Sequence, residues 1–418
     1  MGALATSLAD RLTATRARTM LLFDPLSSEE MARQADAIMS PPLWDLGHIA
    51  AYEELWLVRR LSGGPSLHPD LQDLYDAFET PRARRAGAPM LDEPAAHAYL
   101  RAVRERALEQ LASADLTDGA DPLTAGGFVF EMVAEHEAQH TETVLQALQM
   151  LPAGAYRPPA RRALPAAGRA DGGWVEIPGG TFPMGASGEG FAYDCERPRH
   201  ARQLGPFLIA RDPVTEGAHV AFMADGGYAR PELWTGGGWD WREREGAEAP
   251  LNWERDGEGG WLVRRYDRRE PVVPERVLCH VSAHEADAHA RWAGARLPTE
   301  AEWERAAQGA SADSASANLD QLGFGPSPAG AYGPAPSGCR QMIGDVWEWT
   351  ATAFEGYPGF RAFPYREYAE VFFGPRYRVL RGGSWATQPI AARPSFRNWD
   401  LPERRQIFAG LRLARDAA

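Results

Sequence analysis

Residues 126–151 read GGFVFEMVAEHEAQHTETVLQALQML, and from this stretch the build of the N-terminal part of the chain can be read. Apolar residues recur at three- and four-residue spacing, which predicts a long amphipathic helix. His136 and His140 stand four apart on one face of it, close enough to share a metal ion. The zinc-protease motif HExxH has the same arrangement, so these letters choose neither the metal nor the reaction. Glu137 projects about 100° away from the His136 direction. A further ligand must come from elsewhere. His48, in WDLGHIAAYEELW (44–56), is the first candidate, and Asp45 and Glu142 compete with it for the third position. A carboxylate there would make a two-histidine-one-carboxylate iron site, whereas three imidazoles suit zinc, copper, iron or nickel. Either set leaves coordination positions open, as a catalytic metal requires.

Outward from this helix, Leu4–Phe23, Pro42–Leu61 and Glu93–Ala112 show the same helical grammar. Together the segments predict an all-α four-helix bundle over residues 1–151. Residues 152–172, rich in Pro, Ala, Gly and Arg without periodicity, read as a linker. From Gly173 to the end at 418, tryptophan, glycine and proline become frequent, and short β-like runs (WVEIP, GPFLIA, YRVLRGGSW) lie between turn signals. Helices are expected over Ser282–Gly294 and Thr299–Gln308, the second opened by Thr299 with Glu302 three residues on, a capping box. The second half is therefore an irregular α+β domain, and the fold class is multi-domain.

The 57 acidic and 44 basic residues give a net charge of −13, which argues against nucleic acid as a partner. Every basic residue is arginine; there is no lysine. No apolar run reaches the roughly 20 residues of a membrane helix, and the first residues lack the apolar core of a secretory signal. Cys195, Cys279 and Cys339 are too few for a disulfide framework, which fits a reducing, cytoplasmic location.

Several strings carry a resemblance: IPGGTFPMG (177–185), HEADAHARWAGARLPTEAEWE (284–304), MIGDVWEWT (342–350), YPGFRAFPYREY (357–368), VLRGGSW (379–385) and FRNWDLPERRQIFAGLRLARD (396–416). With His48 and HEAQH in the bundle, the chain resembles the ergothioneine-pathway sulfoxide synthases, the EgtB type. These pair a DinB-like bundle with a formylglycine-generating-enzyme-like, C-type-lectin-like domain. The resemblance implies a non-heme Fe(2+) enzyme that uses O2 to join the sulfur of γ-glutamylcysteine or cysteine to the imidazole C2 of hercynine, giving a sulfoxide. It implies His48, His136 and His140 as iron ligands, and Gln139, Asn398 and Trp399 as hercynine contacts. Arg82, Arg85, Asp400 and Arg404 would hold the thiol substrate. Tyr365 is the implied proton donor, with Tyr368 beside it at the substrate and Tyr357 as the alternative.

The chain departs from the family pattern at Thr141, Asn252, Ala283 and His284, and it lacks a YPWG-type segment between Gln308 and Gly344. These departures bear on the donor, for which a selenium nucleophile is an alternative to sulfur. The scattered cysteines speak against formylglycine generation. Competing readings are a metal-dependent thiol transferase, a zinc hydrolase, and a ligand-binding module without catalysis. Small-molecule substrates are expected, with neither nucleic acid nor membrane as partner.

Overall fold

The computed structural model describes residues 2–159, 162–166 and 172–417. The chain forms two compact units, Met1–Ala160 and Arg161–Ala418.

Four long helices make the first unit: α1 (Ala3–Phe23), α2 (Pro42–Glu53), α3 (Glu93–Ser113) and α4 (Phe128–Met150). Pro42 sits in the first turn of α2, where a missing N–H costs nothing. Asp92 caps α3 by accepting from the Ala95 N–H at 2.9 Å. The fourth helix starts at Phe128 rather than Gly126 because Gly126 and Gly127 take left-handed conformations (φ 62° and 81°) that turn the chain before it. Beyond Glu53, α2 widens into a π turn, Glu54–Arg59. Within it the buried Glu54 accepts from Tyr99 Oη (2.7 Å), Ser66 Oγ (2.8 Å) and Leu67 N (2.6 Å).

One charged residue from each helix meets in the bundle interior. Arg16 of α1 reaches Glu53 of α2 (2.7 Å) and Glu137 of α4 (2.7 Å). Arg104 of α3 reaches the same two carboxylates at 2.6 and 3.1 Å. Thr19 Oγ1 adds a 2.7 Å bond to Glu137, and Arg104 also donates to the Leu12 carbonyl. Two cations face two anions, so the cluster is neutral, and each carboxylate is almost fully buried. Burial opposes ionisation of Glu137, but Arg16 and Arg104 outweigh it and hold this carboxyl below its ordinary range.

The second unit holds, among its described residues, four small sheets. They run β1 (Trp174–Ile177), β4 (Phe207–Ala210), β12 (Ala414–Asp416); β10 (Asn398–Asp400), β9 (Gly374–Arg381), β8 (Trp347–Phe354), β11 (Ala409–Gly410); β2 (Gly180–Met184) with β3 (His200–Leu204); and β5 (Trp253–Arg255), β6 (Trp261–Arg265), β7 (Arg268–Pro271). Four helices join them: α5 (Glu216–Ala224), α6 (Gly236–Glu245), α7 (Ala283–Trp292) and α8 (Glu300–Ala307). The runs WVEIP, GPFLIA and YRVLRGGSW contain β1, β4 and part of β9. Both expected helices form, α7 capped by Ser282 and α8 by Thr299, each as a full capping box. Sequence reading does not find α6, because GGGWDWRERE opens with three poor helix formers. Thr235 caps it, and the buried Trp241 anchors it.

The strings that carried the resemblance interlock in this core. Glu300 pairs with Arg397 (2.6 Å), Glu304 with Arg381, and Glu348 with Arg412 (2.8 Å), all buried. Trp303 Nε1 donates to Glu348 at 2.6 Å. RLPTEAEWE is thus tied to RGGSW by the Glu304–Arg381 ion pair and to VWEWT by the Trp303–Glu348 hydrogen bond, while Arg397 and Arg412 fasten the C-terminal string to both. Of the expected linker, 162–166 belong to this unit: Arg162 N–H donates to the Leu322 carbonyl (2.8 Å), and Leu164 lies over Gly323. Residues 160, 161 and 167–171 lie outside the described residues. The three cysteines are free and buried. Among the described residues no helix is long and apolar enough to cross a membrane.

Candidate metal centre and substrate-contact residues

Two helices of the first unit place the three histidines. His136 and His140 share one face of α4, and His48 comes from α2; one ring nitrogen of each lies within 4.8 Å of the other two. The Nε2 atoms of His48 and His136 are 3.2 Å apart, near the about 3 Å expected of two nitrogens sharing a metal at about 2.1 Å.

The other ring nitrogens are committed. His48 Nδ1 donates to the Tyr75 carbonyl at 2.6 Å. His140 Nδ1 donates to Asp45 Oδ1 at 3.0 Å. Each bond fixes a tautomer whose Nε2 lone pair is bare, the arrangement in which outer partners orient metal-bound imidazoles. Asp45 is therefore the carboxylate behind His140, and the three-imidazole set replaces Asp45 and Glu142 at the third position. Burial, with the neighbouring His140 next in size, holds His48 and His136 well below the ordinary histidine range. Both are neutral, as a metal ligand must be.

Aromatic faces pin the rings further. Trp44 stacks on His48 (4.9 Å, 13°) and Tyr52 on His136 (3.6 Å, 10°). Tyr52 and Asp45 were open to discovery from sequence, since they stand four after and three before His48 on the same helix face. The Tyr75 carbonyl was not, being a backbone atom on a distant loop. That loop, 63–92, is tied to α2 again where Trp44 Nε1 donates to the Leu74 carbonyl at 2.9 Å. Gly47, in mid-helix beside His48, leaves room for the Tyr75 ring: a Cβ there would lie 2.2 Å from it.

Glu137 takes no part in this centre. Its carboxylate is engaged by Arg16 and Arg104, which takes away the HExxH proton acceptor on which a zinc-hydrolase reading depends.

The same loop carries the two arginines. Arg82 is exposed, its carbonyl held by Gln34 Nε2 at 2.7 Å. Arg85 differs from a freely reaching fork. It is buried, lies 3.3 Å over the Trp44 ring, and donates to Ser40 Oγ (2.5 Å) and the carbonyls of Thr80 (2.9 Å) and Ala77 (3.5 Å). Burial pushes its guanidinium down to about 10, still cationic at neutral pH. Gln139 is half-buried on α4, with Nε2 3.4 Å from the Glu135 carbonyl.

In the second unit, Asn398, Trp399 and Asp400 form β10, paired with Leu380, Val379 and Arg378 of β9. Alternation along a strand sets Asn398 and Asp400 on one face and Trp399 on the other. Trp399 stacks on Phe354 (4.1 Å, 8°), and Tyr368 meets it edge-on (5.7 Å, 88°). Tyr368 also stacks on Tyr193 (3.9 Å), and Tyr365 lies 6.4 Å from Tyr368. Tyr365 is half-buried. Tyr357, the alternative, is a core residue under Arg397 (4.1 Å), and burial pushes its hydroxyl far up. Arg404 Nε stands 3.8 Å from Asp400 Oδ1. Of the departures, Thr141 donates to the Ala138 carbonyl of its own helix (2.7 Å). Asn252 takes a left-handed turn and accepts from Arg264 (2.7 Å).

Residues 161–417 match the sulfatase-modifying factor enzyme 1-like domain, and 11–144 match the DinB superfamily. Fold and site thus define a class: a DinB bundle with a three-histidine cluster able to hold a metal, followed by a sulfatase-modifying-factor domain. The chain is 44% identical to the hercynine oxygenase of Mycobacterium tuberculosis over 98% of each. It is 42% identical to that of Mycolicibacterium thermoresistibile, over 98% of this chain and 94% of the relative. The formylglycine-generating enzyme of Streptomyces coelicolor is 32% identical over 60% of this chain and 91% of its own length. The chain belongs to the hercynine oxygenase family, and it is an enzyme.

Proposed function

We propose that this enzyme uses Fe(2+) at His48, His136 and His140 and O2 to join hercynine, at imidazole C2, to the sulfur of γ-glutamylcysteine or cysteine, as a step of ergothioneine biosynthesis. The observation that carries the reading is the converging histidine triad with outer nitrogens held by Tyr75 and Asp45, in a chain of this family. When bound, iron(II) supplies a site for thiolate and for dioxygen activation. Overall, the C2–H and S–H bonds are lost and a C–S bond forms. One oxygen atom ends on sulfur as the sulfoxide, and the other leaves with both hydrogens as water.

The chain's own groups hold the two substrates. Arg82 and Arg404 offer planar forks to the donor's carboxylates, and Asp400 suits its ammonium group. Arg85 adds positive charge from its buried seat. Gln139 and Asn398 are amides able to hold the imidazole, and Trp399 presents a face to the trimethylammonium group. Tyr365 supplies a proton, with Tyr368 packed beside it.

The test is oxygen uptake by anaerobically iron-loaded protein. Uptake requires hercynine and thiol together, and His136→Ala abolishes it. Equal turnover by zinc-loaded, iron-free protein would overturn the reading in favour of a thiol transferase. Mass spectrometry of products from γ-glutamylcysteine, cysteine and a selenium nucleophile identifies the donor.

A further inference from the structure

The turn 401–404 follows β10 and closes with Arg404 N–H on the Leu401 carbonyl (3.0 Å). It joins Asp400 to Arg404 and is seated from outside at three points. Ala283 N–H, at the first position of α7, donates to the Pro402 carbonyl (2.9 Å). His280 Nδ1 donates to the Arg405 carbonyl (3.1 Å). Arg405 Nη1 donates to the Ala249 carbonyl (3.1 Å). The first N–H groups of a helix have no partner within it, so α7 offers the turn a donor without losing a bond of its own.

The Arg405 side chain completes the seat. Its Nη1 lies 3.6 Å from Glu285 Oε1, and its guanidinium carbon lies 5.3 Å from the Trp241 ring centre. Glu285 is a fully buried anchor. Its Oε2 closes the α7 capping box on Ser282 N (2.7 Å), and its Oε1 accepts from Tyr228 Oη (2.7 Å). The carboxylate that starts α7 therefore also holds the cation next to Arg404. Two departures lie in this seat: Ala283 gives the N–H above, and His284 packs on Trp241 at 5.4 Å. α7 reaches the segment once more through Asp287, which binds Arg378 (2.8 Å), the register partner of Asp400.

We propose that Arg405 is a positioning residue for recognition of the sulfur donor. Held by Glu285 at the start of α7, it fixes the turn that aims Asp400 and Arg404, without touching the donor. The inference rests on the reading of Asp400 and Arg404 as donor contacts.

Calorimetry under nitrogen on the iron-loaded full chain measures Kd for γ-glutamylcysteine and for hercynine, and steady-state assays in air give KM and kcat. Arg405→Met raises the donor Kd and KM about tenfold or more, while hercynine Kd stays within about twofold. Arg405→Lys keeps the charge without the fork and recovers part of the loss. Ala283→Pro removes the N–H with the helix backbone kept, since proline fits the first helical position and Ser282 is already extended (φ −73°, ψ 164°), and it adds ring carbons at a buried site; it shifts the donor Kd in the same direction. Reference variants Asp400→Asn and Arg404→Met separate the two levels. If they raise donor Kd and Arg405→Met does not, the positioning role is overturned. If they leave donor Kd unchanged, the donor-contact reading falls and this proposal falls with it. If Arg405→Met weakens both substrates equally and lowers Tm, its role is structural only and the proposal is likewise overturned.

Discussion

Gly47 shows how one missing side chain serves the proposed metal centre. Glycine inside a helix costs about 1 kcal/mol against alanine, yet a Cβ here would lie 2.2 Å from the Tyr75 ring. Gly47→Ala therefore displaces Tyr75, and with it the carbonyl that fixes the His48 tautomer. Helicity by circular dichroism should hold, while iron affinity, measured by chelator competition, should fall roughly 10- to 100-fold, as for lost outer-layer partners. At this scale sequence gave a clear view of the histidine pair, because helical spacing alone brings His136 to His140. It gave none of Tyr75, whose contribution is a carbonyl reached through the path of a loop. Arg85 was visible as a charge, but its burial under loop carbonyls depends on neighbours that spacing does not specify.

At the scale of elements, the buried charges of the bundle tie four helices at one level. Removing one partner strands the others, a loss of about 3–5 kcal/mol in buried networks. Glu137→Gln should lower the unfolding temperature of the first unit by a matching amount in a thermal scan. It should leave iron content and kcat close to wild type, because Glu137 faces the arginines. The second unit offers a pH test in its short turn Asp194–Glu196. Burial, with Glu370 and Glu196 adding to it, pushes the Asp194 carboxyl up to about 6. A raised acid favours the fold while protonated. Its contribution is full below the unfolded value of 3.8 and is lost as pH rises through about 6. The loss is on the order of 3 kcal/mol. Tm of the second unit, followed from about pH 4 to 7, should fall more steeply for wild type than for Asp194→Asn. Long helices and capped helix starts were legible because their signals are local. The pairing of short strands was not, and α6 was hidden by its glycines.

For the whole molecule, the absence of lysine becomes a structural fact in the core. The Arg412 guanidinium binds Glu348 and the carbonyls of Ala210, Arg211, Arg340 and Gln341. An ammonium group has neither the plane nor the number of donors for this set. Arg412→Lys should destabilise the second unit by about 3–5 kcal/mol, read as a drop in Tm and in soluble yield, although charge is conserved. The family strings proved legible as family marks, but several of their charged residues, Glu300, Glu304, Glu348, Arg381, Arg397 and Arg412, turned out to be mortar of the fold; the proposed chemistry draws on weaker signals such as His48.

The loop between α2 and α3 gives one hand to each ligand. Its Tyr75 carbonyl holds the His48 ring, a proposed metal ligand, and its Arg82 is the proposed grip on the thiol substrate. Two binding events that both depend on the state of one element are thermodynamically linked, and linkage is reciprocal. If closing on the thiol steadies His48 and tightens the metal by some factor, the metal must tighten the thiol by the same factor. Metal-free protein is then a poorer partner for the thiol even at Arg82, a residue that orients no ligand ring itself.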